Sequence, residues 1–256
     1  GLYNWRVLDI NQPAVGALQA NPGKNVNFLR PYLGFAAIQQ EQSNGAAKYN
    51  SLQASWNRRF TSGFMFGVSY TWSKSMDDSS NYRDIVPDTY NTTNLWGPSE
   101  YDARHMVVIN YLYALPIFRN QNTLTGKILG GWQLSGNTQF QTGAPCGIGT
   151  GNDFAGVGEV GSFGCGSQGQ LWVKNGTPSI QGHFSGYPGL TGKYFSTTNP
   201  DGTPIFTAPP AGTFNLQHGV RNAIYQPGFQ NWNLSMKKKF PINQRAGLEF
   251  NADAYN

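Results

Sequence analysis

The chain has 256 residues, 7 Trp, 13 Tyr, 16 Phe, 32 Gly and 15 Pro, but only 12% of its positions are charged. Soluble domains carry about 25% charged residues, and disordered chains are rich in charge and poor in aromatics, so neither composition fits. No stretch approaches the roughly 20 consecutive apolar residues of a membrane-spanning helix, which leaves an all-β surface protein or a membrane β-barrel.

In chain order, a first strand is expected at about Tyr3 to Leu8, followed by a long loop over 9–47. From Tyr49 to Phe60 the even positions Leu52, Ala54, Trp56 and Phe60 alternate with Ser51, Gln53, Ser55 and Asn57. That period of two is the mark of a strand with two unlike faces. After Thr61, Ser62 and Gly63 it resumes as Phe64, Phe66, Val68, Tyr70 and Trp72 against Met65, Gly67, Ser69 and Thr71, predicting a hairpin with a tight turn. A long loop over 77–101 precedes a strand from Arg104 to Leu115, whose face holds Val107, Ile109, Tyr111 and Tyr113. The next strand is expected from Ile128 to Gln141, with Ile128, Gly130, Trp132, Leu134 and Phe140 on one face and Gln133, Ser135, Asn137 and Gln139 on the other. A very long loop over 144–227 leads to Trp232, Leu234, Met236 and Phe240 alternating with Asn231, Asn233, Ser235, Lys237 and Lys239. The last strand pairs Leu248, Phe250 and Ala252 against Glu249, Asn251 and Asp253.

Strands of roughly 10 to 14 residues exceed the 5 to 6 usual in soluble sheets and suit tilted membrane strands of about 9 to 11. The polar face is built of Ser, Gln, Asn and Thr, which fits a hydrated lumen, and aromatics lie near strand ends, as in barrel girdles. The competing reading is a β-sandwich whose alternating residues face a core. Connections alternate short and long, the pattern of periplasmic turns and extracellular loops. Arg58 and Lys238 interrupt the apolar face, each two residues before a short turn. There a cation reaches the interface, at a cost of about 0 to 1 kcal/mol against roughly 2 to 4 at mid-membrane. The expected fold is an antiparallel up-and-down barrel segment of about six or seven strands, below the 8 of the smallest outer-membrane barrels. Its edges are therefore expected to pair with the remainder of a barrel or with other copies of the chain.

Lipid-facing positions are then Trp56, Phe64, Tyr70, Trp72, Trp132, Leu134, Phe140, Trp232, Leu234 and Phe250. Cys146 and Cys165 share the longest loop, and a disulfide between them would stabilise it by about 3 kcal/mol; two free or buried thiols are the alternative. The run GIGTGNDFAGVGEVG lacks the GK[ST] of a phosphate loop and the spaced acids of a calcium loop, and reads as a flexible surface loop. Asp77 with Asp78, and Asp84 with Asp88, read as solvated loop acids or as cation contacts of unknown purpose. The three His, at 105, 183 and 218, have no metal-site spacing, no nucleophile motif accompanies any Ser, and the short basic run Lys237 to Lys239 does not suggest nucleic acid. No catalytic, cofactor or metal site is predicted.

The segments INQPAVGAL, NFLRPYLGFAAI, YNSLQASWNRRFTSGFMFGVSYTWSKSMDDSS, GPSEYDARHMVVINYLYALPIF, GGWQLSGNTQFQTGAP, GVRNAIYQPGFQNWNLSMKKKF and AGLEFNADAYN occur in that order. Together they resemble the C-terminal part of the barrel of Oar-like TonB-dependent outer-membrane receptors, especially those of Acidobacteria. The resemblance implies a 22-stranded barrel around a plug that imports a bulky substrate with energy passed on by TonB. The plug and the TonB box are not among these residues, so TonB would act through regions absent here. On this reading Trp96, Tyr101, Trp172, Tyr187 and Tyr194, in the loops 77–101 and 144–227, are candidate substrate contacts. The alternative is a self-assembling extracellular surface or filament subunit built from receptor-like strands. A soluble carbohydrate-binding sandwich is a third.

Overall fold

A computed structural model describes residues 2–81, 85–118, 123–148, 151–160, 170–180, 194–242 and 246–256. Its strands are β1 (Leu2–Asp9), β2 (Gln39–Thr61), β3 (Phe64–Asp77), β4 (Gly97–Pro98), β5 (His105–Ala114), β6 (Trp132–Gln141), β7 (Pro145–Cys146), β8 (Val173–Lys174), β9 (Phe206–Thr207), β10 (Ile224–Tyr225), β11 (Phe229–Pro241) and β12 (Gly247–Ala254). Two short helices, α1 (Ala17–Ala20) and α2 (Leu124–Leu129), interrupt them. The long strands pair antiparallel in the order β1-β2-β3-β5-β6-β11-β12, with β4 beside β3. Successive long strands are therefore sheet neighbours, an up-and-down meander, and among the described residues β1 and β12 end the order without pairing to each other.

The chain divides into two compact units: residues 1–50, 74–102 and 144–227 form the first, and residues 51–73, 103–143 and 228–256 the second. β2 and β3 contribute residues to both.

The second unit is the ladder that the alternation predicts. Ser62 and Gly63 both take positive φ, 55° and 82°, the conformation of a two-residue type I′ hairpin turn. Directly opposed residues share a face, so the register sorts the side chains. One face carries the rows Tyr70, Val107, Phe140, Gln230; then Val68, Ile109, Thr138, Trp232; then Phe66, Tyr111, Gly136, Leu234; then Phe64, Tyr113, Leu134, Met236; and finally Trp132, Lys238, Phe250. Edge-to-face ring pairs knit it: Trp56 on Phe66 (4.9 Å), Phe140 on Trp232 (5.5 Å) and Trp132 on Phe250 (5.7 Å). All ten residues expected to face lipid lie on this one face. The other carries Gly67, Asn110, Asn137 and Asn233 in one row, with Asn137 Nδ2 donating to Asn110 Oδ1 at 2.8 Å.

Among its described residues the second unit has no buried hydrophobic core. Every buried hydrophobic among the described residues, from Val7 and Leu8 through Val86, Leu95, Ala155, Val157, Leu171, Ile205 and Val220 to Ile224, belongs to the first unit. On the sheet's apolar face Trp56, Phe60 and Leu52 stand exposed, where a sandwich would cover them with a second layer. That overturns the sandwich reading.

Two strand limits differ from expectation. β2 begins at Gln39, inside the stretch 9–47 read as loop, and pairs with β1 across a register shift between Asn4 and Arg6. Ile128 and Gly130 are not on β6: α2 occupies Leu124–Leu129, capped by Thr123 Oγ1 accepting from Gly126 N–H at 3.1 Å, and Gly130 ends it. Lys238, expected to reach out to the interface, is 2% exposed. It donates to the carbonyls of Ile128 and Gly130 at the end of α2, with its Nζ 4.8 Å from the Phe240 ring centre.

Candidate functional site

The first unit is held by three polar clamps, two of which join segments far apart in sequence. The first radiates from Asp9 to Gln12. Asp9 Oδ2 takes a charge-assisted bond from Arg30 Nη1 at 2.7 Å, both side chains being buried, while Asp9 Oδ1 accepts from the backbone N–H groups of Asn11 and Ile38. Asn11 then fixes the backbone of 32–36: its Nδ2 donates to the carbonyls of Tyr32 (3.1 Å) and Ala36 (2.8 Å), and its Oδ1 accepts from Tyr32 N–H (2.7 Å). Gln12 does the same for 87–90, donating to Pro87 O and accepting from Thr89 N–H, while Tyr90 Oη donates to Gln12 O at 3.1 Å. With their polar backbone satisfied inward, Tyr32, Leu33, Phe35 and Tyr90 are left exposed.

The second clamp centres on Arg221, which is fully buried. Nη1 reaches Asp77 Oδ1 (2.7 Å) and Asp77 O (2.9 Å), and Nη2 reaches Ser80 Oγ (2.8 Å). From Ser80 the chain of bonds continues: Glu100 N–H donates to Ser80 Oγ, Asn81 Nδ2 to Glu100 Oε2, and Tyr101 Oη to Asn81 Oδ1 at 2.6 Å. Tyr101 is thereby anchored by its hydroxyl while 68% exposed. The neighbouring Gly97 admits no side chain, since a Cβ there would lie 2.7 Å from Arg221 O.

The third clamp lies in the glycine-rich run. Asp153 accepts from the N–H groups of Val157 and Gly158 and from Gln170 Nε2, and Gln170 Oε1 accepts from Ala155 N–H. Ala155 and Val157 are fully buried, so residues 151–160 are a packed element and not the flexible surface loop that the composition predicts. Close by, Trp172 packs edge-to-face on Phe154 at 5.6 Å, and Asn215 Nδ2 donates to Trp172 O while Asn215 O accepts from Asn94 Nδ2.

Of the candidate contact aromatics, Trp96 and Tyr101 are exposed, Trp172 and Tyr194 are half-buried, and Tyr187 lies outside the described residues. Tyr32, Phe35 and Tyr90 were missed as contact candidates; the signal for them is a polar residue in each neighbouring loop able to cap backbone groups, Asn11 and Gln12. Asp77 is not a solvated loop acid but the buried partner of Arg221, and Asp84 lies outside the described residues. Burial pushes the Asp88 carboxyl above the usual carboxylate range, against the lowering effect of the Tyr90 and Asn91 N–H groups that it accepts. Cys146 lies on β7, which pairs with β10, and Cys165 lies outside the described residues. Among the described residues no group of three or more His, Cys, Asp or Glu could hold a metal ion, and no helix is long and apolar enough to cross a membrane.

No curated protein and no solved structure matches this chain. Residues 1–256 match throughout the family described as outer membrane beta barrel domain. The two-faced meander, uncovered on its aromatic side, is the structure such a family requires, and the chain belongs to the outer membrane beta barrel domain family.

Proposed function

We propose that the chain is part of the barrel of a TonB-dependent outer-membrane receptor of the Oar-like kind, which imports a bulky substrate. The aromatic face of the second unit meets lipid, the amide and hydroxyl face lines the lumen or plug, and the connections 77–101 and 144–227 are extracellular. The observation that carries substrate recognition is the construction of the first unit. Buried ion pairs and side-chain amides hold its connecting segments in fixed conformations with aromatic side chains outward. Rigid aromatics bind with little loss of conformational freedom, and Tyr32, Phe35, Tyr90, Trp96 and Tyr101 join Trp172, Tyr187 and Tyr194 as the contact set. In a panel of labelled oligosaccharides and peptides, the substrate accumulated by parent cells should be lost on deleting either this gene or tonB. Accumulation that persists without TonB overturns the reading.

The membrane placement has its own test. Single Cys at Leu134 and Phe140 should react with a lipid-soluble maleimide, and at Asn137 and Gln139 with a membrane-impermeant one; aqueous labelling at all four sinks it. A Cys146 to Cys165 bridge belongs to the same proposal, since an exported loop is in an oxidising compartment. Peptide mapping without reductant should recover the two Cys peptides joined, and separate alkylated peptides would exclude the bond.

The open order of the sheet favours a second reading, a self-assembling extracellular subunit. Past its register with β1, which ends at Ala47, the segment 51–61 of β2 has β3 as its only neighbour in the order among the described residues. An unpaired edge of this length templates strand addition. Recovery of the chain as detergent-free extracellular polymers would decide for this reading.

A further inference from the structure

Among the described residues the aromatic face of the second unit bears two cations, and their surroundings differ. Lys238 is buried, and two carbonyls take up its charge. Arg58 is exposed, with its guanidinium carbon 5.8 Å from the centre of the Phe64 ring. Phe64 is also one wall of a groove of about 670 Å³ between β3, β5 and β6, lined by Phe64, Phe66, Ile109, Tyr111, Tyr113 and Leu134 and wholly apolar on its accessible surface. Tyr111 of this lining is paired with Gly136, the one residue of its row without a side chain. Tyr111 lies across that glycine so closely that a Cβ there would come 2.6 Å from Tyr111 Oη.

A guanidinium beside Phe64, one wall of an apolar groove, matches an amphiphile with an anionic head. Because the groove is continuous with the face that meets lipid, we propose that it is a binding site for one glycerophospholipid. An acyl chain would lie along Phe66, Ile109 and Leu134, and the phosphate would be held by Arg58. Guanidinium groups suit phosphate because they offer parallel N–H donors. The site rests on the membrane reading above. Short turns of outer-membrane barrels are periplasmic, so the adjacent Ser62–Gly63 turn places Arg58 in the inner leaflet, which is made of glycerophospholipid, and not in the lipopolysaccharide leaflet.

The test uses the protein extracted from outer membranes and reconstituted in vesicles of phosphatidylethanolamine and phosphatidylglycerol carrying a trace of phosphatidylglycerol with a photoreactive acyl chain. Cross-links should concentrate on peptides containing Ile109 and Leu134 over those containing Leu248 and Phe250. Arg58→Gln should lower the groove cross-links by about tenfold, the ratio expected for losing one charge-assisted bond. Arg58→Lys should restore part of them, and Arg59→Gln, on the opposite face, should leave them unchanged. Even cross-linking along the whole face, equal yields for R58Q and parent, or displacement by lipopolysaccharide but not by unlabelled phosphatidylglycerol would each overturn the site while leaving the barrel standing. Absence of any cross-link together with aqueous labelling of Leu134→Cys would instead remove the membrane reading beneath it.

Discussion

Arg221→Met should destabilise the first unit by about 3 to 5 kcal/mol, the range for removing one partner of a buried ion pair. The loss follows from what stays behind. Asp77 keeps Ser80 Oγ as a donor but loses the guanidinium at 2.7 Å, and the Asp77 carbonyl loses the bond from the same Nη1. Ser80, released from Nη2, no longer holds the segment that carries Asn81 and Glu100, and with them the anchor of Tyr101. Amide hydrogen exchange should show the effect at Ser99 and Asp102 in this unit, and much less along β6 and β11. The double variant Asp77→Leu with Arg221→Met should recover about 1 to 4 kcal/mol, because apolar replacement of a whole buried pair is often neutral or better. Unchanged protection at Ser99 in R221M would mean that the pair holds nothing together. Loss of substrate binding by R221M with Tyr101 still protected would place Arg221 in recognition instead of in scaffolding.

What could be read from the sequence was set by which interactions are local. In the second unit each strand declares itself by alternation, and Trp56, Phe64, Trp132 and Trp232 fall on one face because a period of two allows no other outcome once the register is fixed. The Ser62–Gly63 turn was legible for the same reason. The error at Ile128 and Gly130 has a specific cause. Both happen to be in phase with Trp132 and Leu134, so the alternation runs unbroken through a helix whose own signal was Thr123 as its cap. The start of β2 was hidden because Gln39 to Gln42 is polar on both faces, and pairing with β1 defines it, not a hydrophobic pattern. The first unit was the least legible. Asp77 and Arg221 are 144 positions apart, and nothing near either residue marks it as paired. A loop rich in Gly, Ser and Thr reads as mobile until Asp153 and Gln170 are seen folded onto the backbone of 155–158.

Lys238→Met offers the sharpest test of the second unit. A lysine that merely reached toward the interface could be replaced by Met at no cost, or with a gain from burying a thioether of similar length. Here the ammonium instead sits where the last carbonyls of α2 converge, a position favoured for cations because those carbonyls have no helical partner and carry the negative end of the dipole. Two bonds to a charged donor are worth about 1.5 to 3 kcal/mol each, and the ring of Phe240 adds about 0.5 to 2. Against this stands the cost of holding an ammonium out of water, which the Met variant would no longer bear. We expect a net loss of about 2 to 3 kcal/mol in K238M, read by urea unfolding in phospholipid vesicles through tryptophan fluorescence, since Trp132 pairs directly with Lys238. Arg58→Met, at an exposed position of the same face, should cost no more than about 1.4 kcal/mol, the equivalent of the tenfold in phospholipid binding that it gives up. If K238M matches its parent, the lysine is not the tie between α2 and β11, and the turn from β5 to β6 is held by its own hydrogen bonds alone.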